Sequence, residues 1–454
     1  MKKRFNLKLS PAIVPIISLI SVVLLIPLLT TSSLCAASQE TAATNQLHTA
    51  RRPKVLVLTN SNGGGHDAAA SAIKSSLAAD YDVETLDIMK DKMPLESVFA
   101  DAFMNESWTI MNILVSNHYL AEHLFSYQHG TFIETSIAQI NPDILISVFP
   151  VANFKYREVA HKLRIPFIII PTDFNSPIYF TGMDDMDAAA NSAAVNTAAE
   201  NKAIFRVYLP LVNDRTAQFL PLARWGDNAK ITGYPIRPEF ANIAMRYRTH
   251  DKDLPFLQKI AQLKDQYQIT LTDRSAIISM GGKGPGMNAV LEYVDIAAHR
   301  IEEIMLHATE NKDAKFHLFV AAGKNDILYN SLEKKKTELD SHNSRLVLHP
   351  LAWVGPKIMG EIMSICEFLI GKPGGGTVAE LLALGKFSLL KSDSIDAMPW
   401  EGNNLDLLES NGWGIRLERM VKGHIQADDF IAKIQLAFSR NGRDIDSPTN
   451  EFDR

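Results

Sequence analysis

FLIGKPGGGTVAELLALG, residues 368–385, is the stretch that decides the fold. Three apolar residues, Phe368, Leu369 and Ile370, run into a turn carrying Gly371, Gly374, Gly375 and Gly376. A helical apolar spacing through Val378, Leu381, Leu382 and Leu384 follows, so the order is strand, tight loop, helix. Such a turn suits a diphosphate. Glycines without Cβ atoms let the backbone come close, and the unpaired N–H groups of the helix's first turn supply donors at the positive end of its dipole. Thr377 and Glu380 have two readings. As T-x-x-E ahead of an apolar run they form a capping box that satisfies the helix's own first donors. Alternatively, Glu380 faces a cleft and accepts hydrogen bonds from the two hydroxyls of a ribose.

At 454 residues the chain is too long for one core, and a prior of roughly 150 residues per domain gives two or three. With 46% hydrophobic and 21% charged residues the composition is that of a globular protein. A formal charge of −5 argues against nucleic acid as a partner, and attraction to an anionic membrane would need a local patch. The two cysteines, Cys35 and Cys366, provide neither a disulfide framework nor a cysteine zinc site. Cys366 lies in the apolar run before the glycine turn and reads as a core thiol.

Residues 1–37 read as a secretory signal peptide or a membrane anchor. Lys2, Lys3 and Arg4 precede an apolar stretch at 13–29, broken by Pro15 and Pro27, and small residues surround Cys35. Leu34 fits poorly with a lipoprotein cleavage site. Residues 38–52 are polar and aperiodic, a linker. The first α/β domain, 53–240, opens with KVLVLT at 54–59, a continuous apolar strand of the kind buried on both faces of a parallel sheet. NSNGGGH at 60–66, a helix over 67–79 and a strand over 83–88 complete a βαβ unit.

Residues 93–127 carry Trp108 and many other large apolar residues at loosely helical spacing. They read either as ordinary core packing or as a surface that dips into a bilayer or holds an acyl chain. Strands are expected at 144–149 and 166–170, which puts Thr172, Asp173 and Phe174 at a strand's carboxyl end, where open sheets bind ligands. Residues 181–201 read as a loop, and KITGYPIRPEF at 230–240 as the connection leaving the domain. The second domain, 250–420, repeats the logic. It has a strand at 275–279, a glycine turn MGGKGPGM at 280–287, a helix over 288–307, a strand at 317–320 followed by Gly323, Lys324 and Asn325, a strand at 345–348 and a helix over 359–365. The amphipathic helix within 421–440 is expected to pack back on the N-terminal domain, and 441–454 is expected to be a disordered tail.

Neither glycine turn satisfies G-x-G-x-x-G with an acidic residue at the right distance, and no Walker lysine arrangement is present. A dinucleotide dehydrogenase and a P-loop kinase are thereby disfavoured. A cleft between two half-domains remains, with a diphosphate turn and a carboxylate on one side.

Four motifs in order carry a more specific signal: Asn62 to His66 (NGGGH), Ile231 to Pro238 (ITGYPIRP), Met280 to Gly282 (MGG) and Lys372 to Glu380 (KPGGGTVAE). Across about residues 54–420 the chain resembles the monogalactosyldiacylglycerol synthases and processive diacylglycerol glucosyltransferases, GT-B and family-28-like. More distantly it is similar to the peptidoglycan glycosyltransferase that makes lipid II. The resemblance implies an α/β GT-B fold, two Rossmann-like domains facing across a cleft, with the UDP-sugar donor on the C-terminal domain and the lipid acceptor on the N-terminal one. It also implies an inverting, UDP-sugar-dependent hexosyltransferase working at a membrane surface, with no cofactor and no metal.

By the same resemblance His66 is the base that binds and deprotonates the acceptor, although a histidine satisfying loop carbonyls is the competing reading. Gly64, Gly65, Asp173 and Trp108 fall on the acceptor side. Gly281, Gly282, Lys283, Asn325, Gly374, Gly375, Gly376, Thr377, Glu380, Glu401 and Asn403 fall on the donor side. Asp184, Asp185 and Asp187 cluster without metal-ligand spacing and read as a solvated face.

Departures from the family are specific. Met398-Pro399-Trp400-Glu401-Gly402-Asn403 stands where Pro-Gly-Gln-Glu and then Asn are usual, so Trp400 replaces an amide expected to hold sugar hydroxyls. Phe149-Pro150 stands where His-Pro is common. Other acceptors (another lipid, a sterol, a protein), a sugar-nucleotide binder without turnover, and a UDP-sugar epimerase are the alternatives. The leader conflicts with a cytoplasmic supply of UDP-sugar.

Overall fold

In the computed structural model the described residues are 51–60, 64–87, 118–174, 177–180, 205–210, 228–248, 254–282, 287–306, 308–392, 399–418 and 425–440. The leader, nearly all of the 38–52 linker, Trp108 with residues 93–117, the 181–201 loop, Lys283 and the 441–454 tail lie outside them.

Apolar runs without polar alternation need cover on both faces, and parallel strands with crossover helices provide it. In the first sheet the described strands are β1 (Lys54–Thr59), β2 (Asp82–Asp87), β3 (Ile144–Ser147), β4 (Phe167–Ile169), β5 (Phe205–Leu209) and β6 (Ala229–Ile231), in the order β2-β1-β3-β4-β5-β6 and all parallel. Alternate residues of β1 serve opposite layers. Leu56 and Leu58 pack with Ile133 and Ile137 of α2 (His118–Ile140) and Tyr156 of α3 (Asn153–Leu163), while Val55 and Val57 pack with Ala69, Ala70 and Ile73 of α1 (Gly64–Leu77).

The connection after β6 ends in α4 (Pro238–Arg248), which starts at a proline as helices tolerate. Its Phe240 and Ala244 are buried among residues of the C-terminal half, including Ile362 and Met363. α5 (Leu254–Gln266) follows.

The second sheet has β7 (Arg274–Ser279), β8 (Phe316–Ala321), β9 (Leu346–Leu351), β10 (Phe368–Gly371), β11 (Phe387–Ser392) and β12 (Gly414–Glu418), in the order β12-β11-β10-β7-β8-β9, again parallel. Ile278, Leu318, Ile370 and Leu389 face α6 (Met287–His299), α7 (Ile301–Leu306) and α12 (Ala427–Arg440). Ile277, Phe319, Leu369 and Leu390 face α9 (Pro356–Ile365), α10 (Gly375–Leu384) and α11 (Pro399–Ser410), with α8 (Asp326–Ser341) joining β8 to β9. Cys366 is a buried thiol at the end of α9, its pKa raised by burial. No helix among the described residues is long and apolar enough to cross a membrane.

Two expectations need correction. The helix expected over 288–307 is two helices, α6 and α7, meeting at Arg300, which pairs with Glu303 and, at 2.9 Å, with Asp428 of α12. The last helix does not return to the N-terminal domain: Phe430, Ile431, Ile434, Ala437 and Phe438 are buried on the second sheet. Phe438 sets its ring 5.5 Å from that of Phe316 and 5.1 Å from that of Phe368, with the Arg274 guanidinium 4.5 Å over its face. The physical reason is that an apolar stripe demands cover without saying where, and α6 and α7 leave a band over β10 and β11 for α12 to fill.

Truncating Phe438 to Ala should therefore lower the unfolding free energy by about 3–5 kcal/mol. Urea unfolding followed by tryptophan fluorescence is the measurement, since Trp413 is buried in the same half. A loss under about 1 kcal/mol would contradict this placement.

Candidate active site

Each sheet has one point where its strand order reverses, β1/β3 in the first and β7/β10 in the second. Loops leaving neighbouring strands there diverge and open a crevice at the carboxyl ends. Gly64 to His66, Met280 to Gly282 and Lys372 to Glu380 follow the strands at these two points, whereas Ile231 to Pro238 follows the edge strand β6.

In the first crevice α1 begins at Gly64, which puts His66 in its first turn, half-buried. His66 Nδ1 is 3.0 Å from the carbonyl oxygen of Val148, just past β3, and 2.8 Å from Thr172 Oγ1, just past β4. The Phe149 ring meets the imidazole edge-on at 5.2 Å. A carbonyl only accepts, so Nδ1 carries the proton and Nε2 keeps the lone pair. The imidazole pKa is pushed down to about 4, chiefly by burial and further by the positive charge of Lys372, with the Val148 carbonyl opposing. At neutral pH the ring is an uncharged acceptor.

In the second crevice the chain leaves β10 at Gly371 and enters α10, whose N-cap is Gly374 with no side-chain cap. Thr377 is thus the third residue of the helix, and no capping box forms. Glu380 is buried one turn on, and its Oε1 accepts from Arg237 Nε at 2.6 Å. Burial raises the Glu380 pKa while Arg237 pulls it down. Gly281 takes φ +102°, which only glycine adopts easily, and a Cβ there would stand 3.5 Å from Lys372 Cε. Lys372 Nζ pairs at 2.5 Å with Oε1 of the buried Glu401 on α11. Lys324 donates its backbone N–H to the Gly282 carbonyl at 3.1 Å, and its ammonium lies 5.8 Å from the ring centre of the exposed Trp353.

The two halves meet at the first residue of α10. A Cβ on Gly375 would stand 2.0 Å from the Thr172 carbonyl oxygen and 3.0 Å from Asp173 Oδ1, and one on Gly376 would stand 3.6 Å from Gly65 Cα. The Gly375 N–H bonds to the Asp173 side chain. Asn404, fully buried on α11, closes the contact. Its Nδ2 donates to Asp173 Oδ1 at 3.2 Å and to the Pro373 carbonyl at 2.8 Å, and its Oδ1 accepts from Phe174 N–H at 2.9 Å. Burial, with the Glu401 charge adding to it, raises the Asp173 pKa to about 7, against Asn404, Lys372 and the Gly375 N–H.

Of the residues singled out in the sequence, His66, Gly65, Asp173, Gly281, Gly282, Gly374, Gly375, Gly376 and Glu401 converge on these crevices and their junction. Gly64 is exposed at the start of α1, and Asn403 is half-buried on α11. Asn325 is used as an N-cap, its Oδ1 accepting from Leu328 N–H at 2.9 Å. Among the described residues no group of three or more His, Cys, Asp or Glu is placed to hold a metal ion. Asn404, Tyr179 and Trp353 carry no motif in the sequence, and Thr172 is expected there only as a strand-end residue beside Asp173. The available signal was position: Thr172 lies shortly after β4 (Phe167–Ile169) and Trp353 shortly after β9 (Leu346–Leu351).

A carboxyl whose folded pKa is raised holds its proton better in the native state. Its contribution is complete below the unfolded value near 4 and is lost as pH rises through about 7. Asp173→Asn keeps the shape and cannot ionise. Thermal midpoints at pH 4.5 and pH 8 should show the variant gaining on the wild type by at least about 2 °C at the higher pH. A constant difference between the proteins would contradict the raised pKa.

No protein-family model matches the chain. It is 24% identical over 392 residues to monogalactosyldiacylglycerol synthase 2 of Arabidopsis thaliana, a chloroplastic protein, covering 82% of this chain and 72% of that one. A probable monogalactosyldiacylglycerol synthase 2 of Oryza sativa subsp. indica is 24% identical over 391 residues, covering 81% and 71%. Among solved structures, a UDP-glucosyltransferase from Polygonum tinctorium superposes with TM-score 0.53 at 13% identity, covering 89% of this chain and 94% of that one. Os79 from O. sativa in complex with UDP gives 0.51 at 12%, covering 88% and 94%. The fold is the α/β GT-B arrangement of two Rossmann-like halves, and over about four fifths of its length the chain is similar to the monogalactosyldiacylglycerol synthases.

Proposed function

We propose that the protein is an inverting glycosyltransferase that moves a hexose from a UDP-sugar to a lipid hydroxyl, most simply that of diacylglycerol. The observation that carries this reading is the state of His66: neutral, its Nδ1–H bonded to Val148, its Nε2 lone pair left for another proton, in the half that faces the glycine turn before α10. The relatives' names supply the substrate classes.

In this reading the acceptor hydroxyl attacks the anomeric carbon opposite the diphosphate. His66 Nε2 takes its proton as the new C–O bond forms, the old one breaks, and UDP leaves with the electron pair. Negative charge grows on UDP where α10 presents the N–H groups of Gly375, Gly376 and Thr377, and Lys372 and Lys283 add positive charge. Gly281 and Gly282 line the turn from β7. Glu380 would offer its second carboxylate oxygen to the ribose while Arg237 holds the first, and Trp353 offers a flat ring for the base. Glu401 and Asn403 would serve the sugar, and Gly64, Gly65, Asp173 and Trp108 the acceptor. Because Gly375 is pressed against Thr172 and Asp173, entry of the donor requires the two halves to part there. A lipid acceptor places the enzyme at a membrane surface, with residues 1–37 as its anchor.

Full-length protein, UDP-galactose or UDP-glucose, and diacylglycerol in detergent micelles should yield a hexosyl lipid. His66→Ala should lower kcat by about 10²–10⁴-fold and leave UDP affinity within about twofold. A protonated imidazole is no base, so activity should fall on the acid side only near pH 4, the value burial sets for His66. Binding of UDP-sugar with no transfer would point to a binder, and release of an epimerised sugar without acceptor to an epimerase.

A further inference from the structure

Thr172 and Tyr179 form a hydrogen-bonded chain that ends on the His66 ring. Both are almost fully buried, and Tyr179 sits on the short 3-10 turn Pro177–Phe180, held by Asn153 Nδ2 donating to its carbonyl at 3.0 Å. Thr172 N–H donates to the Tyr179 hydroxyl oxygen at 3.1 Å, and the two hydroxyls are 2.5 Å apart. Thr172 Oγ1 is 2.8 Å from His66 Nδ1. The Val148 carbonyl oxygen collects the network: it is 3.0 Å from His66 Nδ1, 3.4 Å from the Tyr179 hydroxyl and 3.5 Å from Thr172 Oγ1.

Counting protons fixes the polarity. The carbonyl has no hydrogen to give, so Nδ1 must be the protonated nitrogen. The Tyr179 phenol oxygen already accepts from Thr172 N–H, and of the two acceptors in its reach Thr172 Oγ1 at 2.5 Å is nearer than the Val148 carbonyl at 3.4 Å, so it donates into Thr172 Oγ1. That hydroxyl oxygen is thereby turned toward Nδ1–H as a second acceptor. An isolated imidazole exchanges freely between tautomers, and the hydrogen bond at one nitrogen decides which persists. We infer that Thr172 and Tyr179 are positioning residues for His66: they hold the ring in the crevice as its Nδ1–H tautomer, so that Nε2 is the nitrogen with a free lone pair. Once Nε2 has taken a proton, the same two oxygens face the charged ring. This inference rests on the reading of His66 as the base.

The test uses the full-length chain labelled with ¹⁵N in its histidine rings. The His66 signals are identified by their loss in His66→Ala, and the variants are Thr172→Val, Thr172→Ser and Tyr179→Phe. In the substrate-free wild type His66 should give the nitrogen shifts of the Nδ1–H tautomer. The Val148 carbonyl remains in every variant and keeps Nδ1–H the main form, so Thr172→Val and Tyr179→Phe should admit a minor, exchanging Nε2–H population that shifts both nitrogen signals, and Thr172→Ser, which keeps the hydroxyl, should not. In the transferase assay Thr172→Val should lower kcat by about 10–100-fold with the donor KM within twofold, and Thr172→Ser should restore most of it.

A wild-type His66 in the Nε2–H form, or an unaltered tautomer or kcat in both hydroxyl-deleting variants, would overturn the inference. So would equal losses in the valine and serine variants. If Thr172→Val does not fold by circular dichroism, Tyr179→Phe, which keeps the ring volume, carries the same readings. The tautomer is read without substrate, so the two ideas fail separately. Expected tautomers in a protein that transfers no sugar sink the transferase reading and leave the positioning role standing.

Discussion

At the junction of the two halves the Thr172 carbonyl reaches the backbone of Gly375 so closely that the smallest side chain would overlap it. No other residue type permits this approach without shifting β4 or α10. Much follows from the contact. It brings Asp173 to the first N–H of α10, lets Asn404 bond both halves at once, and places His66 close enough to Lys372 to feel its charge. An anion suits a helix N-terminus because the free N–H groups and the dipole both favour it. In this structure the Asp173 carboxyl stands there. A diphosphate would compete with that carboxyl for the same donors, and at neutral pH Asp173 is poised near its pKa.

The carboxylates around the junction are buried, each paired with a half-buried cation, and burying such a charge is costly unless geometry is good. Glu380 with Arg237 and Glu401 with Lys372 each join separate segments: a connection leaving the first half to α10, and the glycine turn to α11. Replacing either pair with apolar side chains of the same volume would keep the fold packed, so stability alone does not account for them. They fix where carboxylates and an ammonium point inside a crevice, which is what recognition of a polar ligand needs.

The sheets and glycine turns were legible in the sequence because their signals are local. A continuous apolar run such as VLVL at 55–58 or FLIG at 368–371 admits few alternatives to a parallel strand once a glycine turn and a helix follow it. The fate of the last helix was not legible: its apolar stripe is a local fact, but the sheet band it covers exists only after α6 and α7 have broken at Arg300. The capping box did not form because α10 begins two residues before Thr377, at the glycine that touches the N-terminal half. His66 and Asp173 were visible as strand-end residues. Thr172 was visible at the same strand end, but its bond to His66 and the parts played by Tyr179 and Asn404 were not, because they exist only through contacts 31 to 231 positions apart in the chain.

The neutral state of His66 and its fixed orientation are two results of one burial. Taking the imidazole out of water removes the stabilisation of its charged form and lowers its pKa, which by itself weakens it as a base. At Nδ1 the same enclosure puts protein oxygens where water would otherwise bond and let the tautomer change. Those oxygens are held by β3 and β4, so little reorganisation is needed when charge appears on the ring. The crevice therefore exchanges basicity in the resting state for a ring whose acceptor nitrogen is already aimed. That exchange favours proton transfer only if the hydroxyl to be deprotonated becomes more acidic as it bonds to an electron-poor carbon, as a sugar hydroxyl or glycerol hydroxyl does when it attacks an oxocarbenium-like centre.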